Sequence, residues 1–80
     1  MQGIFKRPTP EKLADQAERI LSGQSRNWDV DDYEHANPKD LKLKDLHIRT
    51  LHFGLPEEWW KLDDVRKNEL REIIQQMRQV

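Results

Sequence analysis

Eighty residues with 35% hydrophobic and 36% charged side chains and no cysteine suffice for one small domain. They exclude a disulfide framework, a thiolate metal site and a cysteine nucleophile. The net charge of −1 removes the self-repulsion that keeps weakly hydrophobic chains unfolded, so a compact core of modest stability is expected.

Residues 1–8 read as a flexible N-terminal arm ahead of a single helical domain over 9–80. The arm's Ile4, Phe5, Lys6 and Arg7 are too few for a stable amphipathic membrane anchor. No apolar run has the length of a signal peptide or the ~20 residues of a membrane span. Small domains outside the cell usually need disulfides, so a cytoplasmic protein without membrane contact is expected.

Thr9, Pro10 and Glu11 form a helix start: a hydroxyl to cap, a proline suited to the first position and a carboxylate at the positive dipole end. Leu13, Ala14, Ala17, Ile20 and Leu21 recur at helical spacing, and Gly23 supplies a left-handed stop. A helix over 10–22 follows, with Asp15 and Arg19 spaced to pair on its outer side. A polar connector leads to Trp28 and the acidic run Asp29, Asp31, Asp32 and Glu34. One or two helical turns are predicted there, with Asp29 as the cap.

Asn37, Pro38 and Asp40 repeat the cap pattern and predict a helix over 38–53. Leu43, Leu46, His47, Thr50 and Phe53 share one side of it, whereas a strand would lose its phase after Leu43. Leu41, Ile48 and Leu51 lie off that stripe, which predicts a central helix packed by several neighbours. Gly54, Leu55 and Pro56 end it. A proline-started turn carrying Trp59 and Trp60 then leads to a helix over 64–78, capped by Asp63 or Asp64. Its predicted apolar face is Val65, Leu70, Ile73, Ile74 and Met77. The fold class is all-α: a small bundle of three main helices plus a short helical turn.

Motifs with chemistry are missing. An EF-hand reading of the acidic run fails, because Glu34 occupies the position that requires glycine and the closing glutamate is absent. His47 and His52 are five apart and point in different directions on a helix, so no metal site is expected. Ser22 and Ser25 lack a nucleophile-elbow context, and three isolated glycines make no phosphate loop. No enzyme activity and no cofactor are expected.

Adjacent tryptophans in a helical turn diverge by about 100°, so Trp59 and Trp60 cannot both fill one core. The expectation is a protein-binding module, possibly binding itself, that uses an aromatic and acidic surface drawn from Trp59, Trp60, Trp28, Tyr33, Asp31 and Asp32. The alternative is a nucleic-acid-binding face of Lys42, Arg49 and His52. Charge is near balance in both halves of the chain, which makes nucleic acid the less favoured partner.

Overall fold

The computed structural model describes residues 9–80. The expected arm over 1–8 lies outside the described residues. Four α-helices and one 3-10 helix follow one another, with no strand among the described residues.

Helix α1, Pro10–Leu21, starts where Thr9 Oγ1 accepts the Lys12 amide at 3.1 Å. It closes with two reverse bonds, Gly23 N–H to Ile20 O at 3.1 Å and Gln24 N–H to Arg19 O at 2.8 Å. That double closure needs a left-handed residue, and Gly23 supplies it at φ 79°. Helix α2, Asp29–Glu34, is the short turn expected around the acidic run.

Helix α3, Leu41–Leu51, begins three residues later than the cap pattern suggests. Asp40, and not Asn37, is the cap, its Oδ1 accepting the Leu43 amide at 3.0 Å. A charged acceptor gains more from the positive helix end than a neutral amide does. Pro38 is buried, so its ring serves as packing and opens no helix. At the other end, Phe53 N–H bonds Thr50 O at 3.2 Å and Gly54 N–H bonds Leu51 O at 3.4 Å. These tighter turns end the α-helix before Phe53, and Gly54 turns the chain at φ 104°.

The 3-10 helix η1, Pro56–Lys61, carries both tryptophans of the pair. Helix α4, Asp64–Arg78, has the predicted bounds, and Asp63 caps it through the Arg66 amide at 2.8 Å.

The hub of the bundle is α1, which packs against α4, η1 and α2. Its whole apolar stripe is buried, and Ala14 and Ala17 are fully inaccessible, leaving room for close approach by neighbouring elements. The central role expected of the helix after Asn37 is therefore not found. Helix α3 rests on α4 along one face, buries Leu43, Leu46, His47 and Thr50, and leaves Leu41 81% and Ile48 44% exposed. Val65, expected on the inner face of α4, is 68% exposed. It sits in the first turn, before Leu70, Ile74 and Met77 reach the core.

Candidate functional surface

Two polar clusters fix the short elements. The first is a clamp around Asp29, whose side chain is inaccessible to solvent. Its Oδ1 accepts from Gln16 Nε2 at 3.1 Å, Arg19 Nη2 at 3.1 Å and Arg26 Nη2 at 3.2 Å. Its Oδ2 accepts from the Arg26 amide at 2.7 Å, Arg19 Nε at 3.2 Å and Arg26 Nε at 3.3 Å. Burial by itself would raise the carboxyl pKa; hydrogen bonds from Arg19, Arg26 and Gln16 outweigh it and hold the group well below the usual range. Asp29 is thus a joint between α1 and α2, and the expectation that it caps α2 does not hold. Arg19 is committed here, so the expected Asp15–Arg19 pair does not form. Asp15 and Glu18 instead receive Arg78 from the end of α4, at 2.7 and 2.6 Å.

The second cluster links α2 to α3. Thr50 Oγ1 donates to His47 O at 2.6 Å, which leaves it as the acceptor for the Tyr33 hydroxyl, also at 2.6 Å. His47 Nε2–H donates to the Tyr33 carbonyl at 2.7 Å. Burial lowers the His47 pKa, opposed by that bond, so the ring is a neutral donor. Tyr33 also stacks edge-on against His47, with centroids 4.7 Å apart, and against Trp59 at 5.5 Å.

This arrangement divides the six candidate residues. Tyr33 and Trp59 are both 0% exposed and belong to the core; the Trp59 indole N–H bonds Gly54 O at 3.2 Å. In this fold neither is available to a partner. Trp60 is 57% exposed and Trp28 54%, and the Asp31 and Asp32 side chains are exposed. Lys61 Nζ lies 5.4 Å from the Trp60 ring centroid, and the Arg26 guanidinium lies 4.9 Å from that of Trp28. Helix α2 and η1 are neighbours, joined underneath by the Tyr33–Trp59 contact.

Comparison with models of protein families, with characterised proteins and with solved structures finds no match. A cavity of about 430 Å³ is lined by Asp15, Glu18, Arg19, Leu21, Ser22, Gln24 and Arg71. Its carboxylates are taken by Arg78 and its Arg19 by Asp29. The Ser22 hydroxyl donates to Arg19 O at 3.2 Å, with no base positioned to activate it. Among the described residues no group of three or more His, Asp or Glu is placed to hold a metal ion, and no helix is long and apolar enough to cross a membrane. Lys42, Arg49 and His52 are all exposed, but Arg49 Nε is paired with Asp45 at 3.0 Å.

Two features were not anticipated: the Asp29 clamp, and an exposed Leu41–Ile48 stripe on α3. The clamp is assembled from residues that a helical reading keeps apart. In the sequence Leu41 and Ile48 show only that they lie off the main stripe of α3, a pattern that a neighbour-covered side and an uncovered side share.

Proposed function

We propose that this chain is a non-enzymatic protein-binding module that docks through the outer side of α2 and η1. Trp60 is the anchor, and Trp28, Asp31 and Asp32 lie on the neighbouring element. One observation carries the reading. Trp59 and Trp60 share a 3-10 helix on which the first is locked in the core and the second is more than half exposed. A large amphipathic ring on a rigid support loses little entropy when a partner covers it, which is how tryptophan comes to dominate interfaces. Asp31, Asp32, Glu57 and Glu58 are exposed on the same two elements and favour a partner with positive charge.

The test compares partner capture by wild type, Trp60→Ala and Trp28→Ala from a lysate of the source, with mass-spectrometric readout. Loss of an anchor of about 2 kcal/mol weakens binding roughly 30-fold, so Trp60→Ala is expected to release the partner while its melting temperature stays at the wild-type value. Variants that stay folded and keep every partner would refute the anchor.

A further inference from the structure

We propose that α2 is an acid-released strap. Protonation of His47 frees the C-terminal end of α2 from α3, while its N-terminal end stays tied to α1. Release displaces the outer side of α2 and uncovers one side of Trp59, which Tyr33 packs against. As regulation of docking, it rests on the reading of α2 and η1 as the docking surface.

The two ends of α2 are held by different chemistry. Helix α3 packs on α4, and its backbone scarcely approaches α2, so side chains make the link. His47 Nε2–H donates to the Tyr33 carbonyl at 2.7 Å, in the last turn of α2, where the Ala36 amide reaches the same oxygen at 3.3 Å. The Tyr33 hydroxyl on Thr50 Oγ1 at 2.6 Å is the second tie. At the other end Arg19, Arg26 and Gln16 grip the Asp29 carboxylate.

Mild acid acts on one end only. A second proton puts a full charge on a ring that is 3% exposed and lies edge-on to Tyr33 at 4.7 Å. Such a charge is better hydrated than buried, and turning the ring outward breaks its bond to Tyr33. Burial lowers the His47 pKa and the Tyr33 carbonyl opposes it, with burial prevailing. The surroundings supply no compensating charge. Tyr33, the titratable group that α2 turns toward the ring, has its phenol pKa raised by burial and stays neutral. The side chains that α1, η1 and α4 bury are uncharged. Lys42, Lys44, Asp45 and Arg49 on α3 are exposed, as are Asp31, Asp32 and His35, and Glu34 is half-buried. Hydrogen bonds hold the Asp29 pKa well below the usual range, so the clamp keeps its charge through the same window.

Amide hydrogen exchange of the full chain, read by nuclear magnetic resonance at about pH 7.5 and about pH 5.5, tests this, with each rate corrected for its intrinsic pH dependence. His35 opposes the release, because the Asp31 carbonyl and then the Asp31 charge raise its pKa. The first variant, His35→Gln, therefore removes that exposed imidazole. The second adds His47→Gln, whose amide can still donate to Tyr33 but does not titrate.

In the first variant, opening at the His35-position and Ala36 amides should rise about 10-fold at the lower pH. That is the ratio for a freed imidazole of ordinary pKa, about 6.5, and a seated one that stays neutral. The second variant should show no such rise. The Arg26 amide, bonded to Asp29 Oδ2 at 2.7 Å, should open less often than the C-terminal end of α2 at both pH values. Equal opening at both ends overturns the strap, since the helix then leaves as a whole. Opening that ignores pH, or responds equally with glutamine at 47, overturns the role of His47. If the second variant does not fold, the His47 ring resonances in the first decide: a midpoint below about 6.5 supports release, and one at or above it overturns it. With Trp60→Ala keeping every partner, the docking reading and its regulation fall; with a pH-independent α2, the strap falls and the Trp60 anchor stands.

Discussion

Asp29 carries a negative charge without solvent contact, and its two arginines are 33% and 51% exposed. The clamp therefore lies just under the surface, and its cations can rehydrate if the carboxylate is lost. Removing one partner of a deeply buried pair costs about 3–5 kcal/mol; discounting for that exposure, Asp29→Asn is expected to cost about 2–3 kcal/mol in urea unfolding. A loss below about 0.5 kcal/mol would show that the clamp is ornamental. The folded pKa of Asp29 lies below its unfolded value, so its contribution is full above about pH 4 and is lost as the pH falls below that. His47 acts in a different window. Burial lowers its folded pKa, so below about pH 6.5 the unfolded chain takes up the proton first and stability falls with pH. The His35 pKa is raised by the Asp31 carbonyl and then by the Asp31 charge; its slope has the opposite sign, and it cancels in a comparison of wild type with His47→Gln. Between about pH 7.5 and 5.5 the wild type is expected to lose more stability than His47→Gln, and equal slopes would contradict the neutral buried ring. Little of this chemistry was legible beforehand. Asp29 has the position of a cap, and Asp15–Arg19 has an ideal local spacing. It is the loop after Gly23 that brings Arg26 and Asp29 back against Arg19.

At the scale of elements, the clearest signals were those with a single solution. The periodic run after Asp63 and Asp64 is uninterrupted, and α4 has the expected bounds, with Asp63 of the two candidates as its cap. At the start of α3 the pattern points to Asn37 as the cap, with Pro38 opening the helix and Asp40 at its third position. The structure selects Asp40. Asp40→Ala is therefore expected to cost about 1 kcal/mol and Asn37→Ala close to nothing, measured by chemical denaturation. The reverse order would return the helix start to Pro38. The outward residues Leu41, Ile48 and Val65 carry a related lesson. Periodicity shows that apolar residues share a side, but it does not show whether a neighbour covers that side. The hub role fell to α1, whose two alanines admit close neighbours, and not to α3.

Over the whole molecule, the shortest dimension is 17 Å, under two helix diameters of about 10 Å each. A bundle so thin leaves every helix with an outer face, and the composition of those faces becomes the functional question. One outer face is acidic and aromatic, and another is basic with an exposed leucine and isoleucine. The all-α class was legible from caps and periodicity. The division of labour between the two adjacent tryptophans was legible only as a necessity, because nothing local decides which one turns inward. Trp59 belongs to the fold and Trp60 to the surface. Urea unfolding of Trp59→Ala and Trp60→Ala, side by side, tests that division most directly. Trp59→Ala should lose about 3–5 kcal/mol, enough to unfold much of a domain this small, and Trp60→Ala should stay within about 0.5 kcal/mol of wild type. Equal losses, or the larger loss at Trp60, would contradict the account.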